Sequence, residues 1–147
     1  MSQDNVEVVR RGYELVSRED FAGLLELVDP EIELHENVLA PDAAVYRGPE
    51  GLRKWLETSA EPFADFRFEP KRFIESGDWV LAPIHASGRG RESGAPFTAD
   101  YVTAFKFRQG KVVFVASYAD LSEALEAAGL SGYATARENV DAKQRDG

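Results

Sequence analysis

Cysteine is missing from this sequence of 147 residues, and histidine occurs only twice. Without cysteine the chain has no disulfide, no thiolate metal site and no cysteine nucleophile. It also has no run of about 18 apolar residues that would span a membrane. Its start, MSQDNVEVVRR, lacks the apolar segment of a signal peptide. We therefore expect a soluble, cytoplasmic protein.

Positive charge is scarce as well, because 17 Lys and Arg residues stand against 26 Asp and Glu residues, a formal net charge of −9. Such a chain repels nucleic acid phosphates and lacks the basic patch that attracts anionic lipid. Neither nucleic acid nor a membrane is therefore expected as a partner. The sequence contains no phosphate-binding glycine loop, dinucleotide fingerprint or nucleophile elbow, and we expect no cofactor.

Hydrophobic residues make up 44% of the chain, which is enough to bury one core. In the first part of the chain they recur mostly at helical spacing, with a short stretch of strand alternation. The pattern predicts, in order, a helix over 3–17, a helix over 20–28 that Pro30 stops, a half-buried strand over 32–35, a loop over 36–47, and a helix from Gly48 to Pro62.

After the third helix the apolar period changes from helical to two, which is typical of strands. Pro70 removes a ladder donor, so its strand is bulged or lies at an edge, and Pro83 indicates a second bulge. The pattern predicts strands over 66–74, 79–89, 97–107 and 111–118, a capped helix from Asp120 to Gly129, and a flexible polar tail over 131–147. Helices packed on one sheet make a single α+β domain over residues 1–130.

Four segments carry a resemblance to a known family: DPEIELHE (29–36), YRGPEGLRKWLE (46–57), the hairpin between Ile74 and Val80, and FRQGKVVFVASYADLSEALEAAGL (107–130). Over about residues 4–130 the chain resembles the nuclear transport factor 2-like (NTF2-like) superfamily, in its SnoaL-like branch. The resemblance implies a cone-like α+β barrel, in which three N-terminal helices wrap a curved antiparallel sheet with a mixed edge around a central pocket. It also implies a homodimer through the outer sheet face.

The superfamily includes ketosteroid isomerases, polyketide cyclases and binding modules without catalysis, so the fold leaves the function open. An ungapped match of DPEIELH places His35 where the isomerases carry their Asp base, and Tyr13 is nearest to their oxyanion-donating Tyr. A histidine can move a proton near neutral pH. Ser117 matches the acid/base Asp of the cyclases. Because serine cannot replace a carboxylate in proton transfer, this difference argues against cyclase chemistry.

The resemblance and the aromatic residues together suggest a set of site residues. We expect His35 and Tyr13 to be the catalytic candidates, and the pocket to be lined by Tyr13, His35, Trp55, His85, Tyr101 and Tyr118. Alternatives stay open for each of them. His35 is opposite Ile32 and Leu34 by strand alternation and would then be a surface residue. His85 fits an interface as well as a pocket, and core packing is favoured for Trp55.

Several polar residues have simpler explanations. Asp120, followed by Leu-Ser-Glu, is interpreted as a helix N-cap. Asp100 is expected to point outward. Arg89 and Arg91 belong to a solvated turn, with an anion gate at the pocket mouth as the alternative.

A metal site is also considered, with His35, Glu36 and Asp42 as possible ligands. It lacks a second histidine at metal-ligand spacing, so we expect no metal.

Three hypotheses of function remain. The first is a protein that binds a small hydrophobic molecule in its pocket. The second is a cofactor-free isomerase-, dehydratase- or cyclase-like enzyme that transfers a proton at His35. The third is a dimeric interaction module.

Overall fold

The structure is a computed structural model, which describes residues 2–35, 45–59, 63–130 and 138–139. Four helices and eight strands follow one another along these residues. They are α1 (Ser2–Ser17), α2 (Phe21–Leu25), β1 (Val28–His35), β2 (Val45–Arg47), α3 (Gly48–Ser59), β3 (Phe63–Pro70), β4 (Phe73–Ser76), β5 (Trp79–Gly90), β6 (Pro96–Arg108), β7 (Lys111–Tyr118), α4 (Leu121–Ala127) and β8 (Glu138–Asn139).

All eight strands belong to one curved, unclosed sheet in the order β2-β1-β7-β6-β5-β4-β8, with β3 paired to β5 beside β4. Neighbouring strands run antiparallel, except that β1 is parallel to β7. This arrangement confirms the predicted α+β fold with a mixed edge. It also confirms the three N-terminal helices, although α2 is only five residues long.

Both faces of the sheet are covered, and alternate residues of β5 belong to opposite faces. On the inner face, Val80 and Ile84 are buried against α1, α2 and α3 through Val6, Val9, Leu24 and Leu52. On the outer face, Leu81 is buried with Ala104 against Ala124 of α4. The inner face therefore looks towards the three N-terminal helices, and the outer face is covered in part by α4.

Two predictions for the first half of the chain are wrong. The second helix was expected to reach Val28, but α2 ends at Leu25 and Val28 begins β1. The carbonyl of Leu27 accepts a hydrogen bond from the N–H of Val112 (3.0 Å), so the edge of β7 draws this segment into the sheet. The predicted loop over 36–47 contains β2, which pairs with β1. Residues 36–44 lie outside the described part of the chain.

The two prolines act differently from each other. Pro70 ends β3, so β3 and β4 are separate strands where the sequence predicted one. The irregularity of β3 lies between Ala64 and Arg67, away from Pro70. Pro83 causes no bulge, because the register of β5 with β6 runs without a shift. It lies where β5 changes its neighbour from β4 to β3, and its carbonyl accepts a hydrogen bond from the N–H of Lys71 (2.8 Å).

The end of the described chain is fixed by local hydrogen bonds. The carboxylate of Asp120 accepts from the N–H of Glu123 at 2.9 Å, which confirms the predicted N-cap. Gly129 has a φ of +75° and closes α4 as predicted. Glu138 and Asn139, in the predicted tail, pair with β4. Residues 131–137 and 140–147 lie outside the described part.

An ion pair joins the start of β1 to the end of β6. The Arg108 Nη2 atom lies 2.9 Å from Asp29 Oδ1 and 3.0 Å from Glu31 Oε1. The backbone N–H of Glu31, which donates to Asp29 at 2.8 Å, and the Arg108 guanidinium hold the pKa of the Asp29 carboxyl below its ordinary value. The charged form of Asp29 is therefore favoured by folding.

We expect Asp29→Asn to lower stability at neutral pH and to change its pH dependence. Because the folded pKa is depressed, the contribution of Asp29 is present above its unfolded pKa and is lost as pH falls through the folded pKa. Urea midpoints measured from about pH 7 to about pH 3 should converge for the two proteins. Glu7→Gln, at a side chain 62% exposed, is the control. A constant difference at all pH values would contradict this account.

Candidate functional site

A cavity of about 180 Å³ lies between the inner face of the sheet and the helices α1 to α3. Helix α1 contributes a stripe at helical spacing, formed by Val9, Gly12, Tyr13 and Val16. Gly12 has no atom within 4 Å of the position a Cβ would take, so the missing side chain leaves open space on this stripe. The cavity volume thus depends on a glycine in the middle of a helix.

Aromatic side chains form much of the opposite wall. The ring of Tyr13 makes edge contacts with the rings of Phe68 and Phe105, both at 6.0 Å between centroids. Phe66 lies 4.8 Å from Phe68 and 6.3 Å from Phe97. These rings come from α1, β3 and β6. They give the cavity wide apolar faces that suit a flat molecule.

The polar part of the lining consists mainly of hydroxyl groups on α1, β6 and β7. Thr103, only 5% exposed, has its Oγ1 atom 3.2 Å from Ser117 Oγ, and it also hydrogen-bonds with the Tyr13 hydroxyl. Tyr101 lines the cavity close by. Burial, and next the neighbouring Tyr101, raise the pKa of the Tyr13 phenol far above its ordinary value. The Tyr13 hydroxyl therefore stays protonated and neutral.

Four of the predicted pocket residues line this cavity. They are Tyr13, His35, Trp55 and Tyr101, and Ser117, matched above only to a cyclase position, lines it as well. Trp55 packs against the core at the same time, as its alternative predicted. Phe97, Tyr101, Thr103 and Phe105, at alternate positions of β6, all line the cavity too.

His35, at the end of β1, also lines the cavity, and its imidazole has two close neighbours. The ring Nε2 is 3.1 Å from Glu33 Oε1, and the ring lies 4.9 Å from that of Phe114, between centroids. Leu34, the intervening residue, is buried in the inner core. In the pairing of β1 with β7, Leu34 is opposite Val115 and His35 is opposite Ala116. By strand alternation His35 therefore belongs to the outer face. Its side chain is 30% exposed, so His35 both lines the cavity and reaches the surface in part.

His85 and Tyr118 do not lie in the cavity, contrary to the prediction. His85 shares the outer parity of β5, and its Nδ1 atom is 2.8 Å from Oδ1 of the outward-pointing Asp100. Tyr118 packs with the outer core beside α4, and its burial raises the pKa of its phenol. The sequence could not fix which face of these strands is inner, because both faces carry apolar residues.

Sequence reasoning missed the parts of the site that have no distinctive chemistry. Gly12 was not considered, and Phe66, Phe68 and Thr103 were assigned to strands without a role. Helical spacing from Val9 and Val16 would have placed Gly12 on the inward stripe. A buried threonine on an otherwise aromatic face was the available signal for Thr103.

Carboxylate, ammonium and guanidinium groups are absent from the lining that the described residues form. Within residues 2–35, 45–59, 63–130 and 138–139, the cavity is lined by no Asp, Glu, Lys or Arg. In the same part of the chain, no group of three or more His, Asp or Glu residues is placed to hold a metal ion. Glu36 and Asp42, considered above as ligands, lie outside it. A proton-transfer step inside the cavity therefore has no carboxylate or amine among the described residues.

None of the helices in the described ranges has the length and the apolar character needed to cross a membrane.

A curved sheet that encloses an apolar cavity with three N-terminal helices is the architecture of NTF2-like proteins. The chain belongs to the SnoaL-like domain family, whose model matches residues 9–115. This confirms the resemblance found in the sequence. The comparison with curated proteins gave no match.

Solved structures support the same fold. An NTF2-like protein from Burkholderia xenovorans LB400 is 28% identical with a TM-score of 0.70, over 80% of this chain and 90% of that one. IdmH from Streptomyces antibioticus, proposed to be a polyketide cyclase, is 22% identical with a TM-score of 0.66, over 77% and 89%. TerC, co-crystallised with polyporic acid, is 21% identical with a TM-score of 0.71, over 88% and 98%. At these two lower identities the likeness concerns the fold alone.

Proposed function

We propose that the protein binds a small hydrophobic molecule containing at least one ring in the cavity between α1 and the inner sheet face. The observation that carries this proposal is an apolar, aromatic-lined cavity of about 180 Å³. For comparison, an engineered cavity of roughly 150 Å³ lined by apolar side chains stays dry and binds benzene. TerC, of similar fold, was co-crystallised with polyporic acid, which agrees with a small-molecule ligand for a protein of this fold.

The residues of the lining suit recognition of such a molecule. Aromatic faces supply contact area, and a small number of hydroxyl groups fix the orientation of the ligand. Burial of apolar ligand surface is worth roughly 25 cal/mol per Å² before the cost of immobilising the ligand. Because no Asp, Glu, Lys or Arg in the described part of the chain lines the cavity, a ligand gains this term without desolvating any of those side chains.

An enzyme that uses His35 as its base is less well supported by the geometry. The imidazole is paired with Glu33 and lies against Phe114 on the outer face. A general base needs to be within hydrogen-bond reach of the proton it removes. Proton transfer at His35 and a homodimer through the outer face stay predictions of the sequence analysis.

The two tryptophans of the chain allow a direct test, because one lies on each side of the sheet. Trp55 lines the cavity, whereas Trp79 lies on the outer face, 6.0 Å from Phe114 between ring centroids. We expect 1,4-naphthoquinone, a neutral quencher, to reduce the emission of Trp79→Phe, which retains Trp55. The quenching should saturate with concentration, and it should be much weaker in Trp55→Phe.

Quinones react readily with thiols, and the chain has none, so this probe has no cysteine to modify. Native mass spectrometry of each variant mixed with the quinone gives the number of bound molecules. Trp79→Phe and Trp55→Phe are the matched pair. Equal quenching of both single-tryptophan variants, without saturation, would mean collision at the surface and would overturn the proposal. A bound molecule that quenches only Trp79 would place the site elsewhere.

A further inference from the structure

One end of the cavity adjoins exposed chain. At the end formed by α2, β1, α3 and the start of β7, several lining residues are at most 6% exposed: Leu24, Ile32, Leu52 and Val112. At the other end, Phe66 of β3 and Phe97 of β6 line the cavity and are partly exposed. The connection between β5 and β6 lies beside Phe97, and residues 91–96 are all exposed. A ligand coming from solvent can therefore meet the cavity at Phe66 and Phe97.

A β-bulge in β3 lies at this same end. The register of β3 with β5 shifts between Ala64 and Arg67. Asp65 and Phe66 are therefore both opposite a single residue of β5, Gly88, and Asp65 takes up a φ of +56°. A bulge interrupts the hydrogen-bond ladder between two strands and changes the direction of a side chain. The backbone at Phe66 is thus held to β5 less firmly than a residue in regular pairing.

Gly88 lets the ring of Phe66 lie directly on the backbone of β5. A Cβ atom at residue 88 would lie 3.3 Å from Phe66 Cα and 3.4 Å from Phe66 Cδ1. Because glycine has no Cβ, no side chain at this position interlocks with the ring and holds it in place. The Phe66 ring can therefore turn away from the sheet without moving β5.

We infer that Phe66 is a gate of the ligand cavity, whose ring closes the space beside Phe97 and swings away from Gly88 to let a ligand pass. The inference rests on the proposed function and concerns how a ligand enters and leaves the same cavity. A ligand must pass a gate in both directions, so a gate slows association and dissociation together. A residue that only forms part of the wall affects mainly dissociation.

Stopped-flow quenching of Trp55 by 1,4-naphthoquinone measures both rate constants in the Trp79→Phe protein. In this background we expect Phe66→Ala to raise the association rate constant at least about 10-fold. The dissociation rate constant should rise as well, so that the affinity changes much less than either rate constant. Phe66→Leu, with a smaller side chain that retains apolar contact, should give the same change at a smaller size. It replaces Phe66→Ala if that variant does not fold.

Two residues of the same strand provide the comparison. Phe68 carries the next inward ring and packs against Tyr13, with 6.0 Å between centroids. Phe68→Ala should raise the dissociation rate constant and leave the association rate constant close to its original value, as expected for a wall residue. Arg67 lies between the two phenylalanines and is exposed. Arg67→Ala should leave both rate constants unchanged.

The outcomes separate the inference from the proposed function. If quenching of Trp55 does not saturate when Phe66 is present, both fail. If quenching saturates but Phe66→Ala and Phe66→Leu leave the association rate constant unchanged, the cavity binds the probe and the gate is overturned. A rise in the dissociation rate constant alone would make Phe66 a wall residue like Phe68, and would also overturn the gate.

Discussion

Gly12→Leu is expected to weaken binding of 1,4-naphthoquinone by at least about 100-fold, a loss of roughly 3 kcal/mol of binding free energy. The reason is steric. Gly12 lies on the inward stripe of α1, and the position of a Cβ there meets only open space. A leucine side chain would extend into the volume that the ligand is proposed to occupy. Its Cβ atom would displace no protein atom.

The same change should stabilise the fold, which distinguishes it from an ordinary damaging mutation. A glycine in a helix interior costs roughly 0.5–1 kcal/mol relative to alanine, so the free energy of unfolding should rise by about that amount. Binding is measured by the Trp55 quenching described above, and stability by urea unfolding. Arg11→Leu is the matched control, since it adds leucine to the adjacent, exposed position of α1.

Two results would contradict this expectation. Gly12→Leu that binds the probe as well as the wild-type protein would show that the ligand does not use the cavity beside α1. A strong loss of stability would show that the open space beside Gly12 does not accept a side chain. Arg11→Leu should leave the quenching curve unchanged.

Leu81→Ala is expected to lower the free energy of unfolding by about 3 kcal/mol, within a usual range of roughly 2–5 kcal/mol for leucine in a core. Leu81 is 0% exposed and lies on the outer face of β5, packed with Ala104 and the α4 residue Ala124. The cost combines the lost transfer of apolar atoms from water with the cavity left behind.

The measurement is the urea midpoint and slope of Leu81→Ala compared with Leu25→Ala, whose side chain is 36% exposed. We expect the exposed variant to change stability by less than about 1 kcal/mol. Because Leu81 lies on the opposite face from the ligand cavity, folded Leu81→Ala should still bind the probe. Equal destabilisation by the two variants would contradict the presence of a second, outer core.

The strands of the meander could be predicted well because their information is local. Along β6, alternate residues from Phe97 to Phe105 share the inner face, and this period of two is visible in the sequence alone. The caps of α4 are equally local, since Asp120 and Glu123 are three residues apart. The predicted order of the helices and the long strands followed from such patterns, whereas the family followed from the resemblance of four segments.

The position of His35 could not be predicted, because it depends on a partner far along the chain. Alternation separates the side chains of His35 and Leu34, but how this end of β1 meets the cavity is set by its pairing with β7. The short strands β2 and β8 depend on the same kind of distant contact, with β1 and with β4. Short segments carry too little periodicity to indicate a strand before the partner is known.

The parallel pairing of β1 with β7 also has a consequence for how the cavity comes into being. Arg108 and Asp29, which tie these ends of the sheet together, are 79 residues apart in the sequence. Closing a loop of this length carries a large entropic cost that only the contacts made afterwards can offset. The wall formed by β7 is missing until that step is complete. A nascent chain that has not yet reached β7 lacks this wall and therefore has no enclosed space in which to hold a ligand.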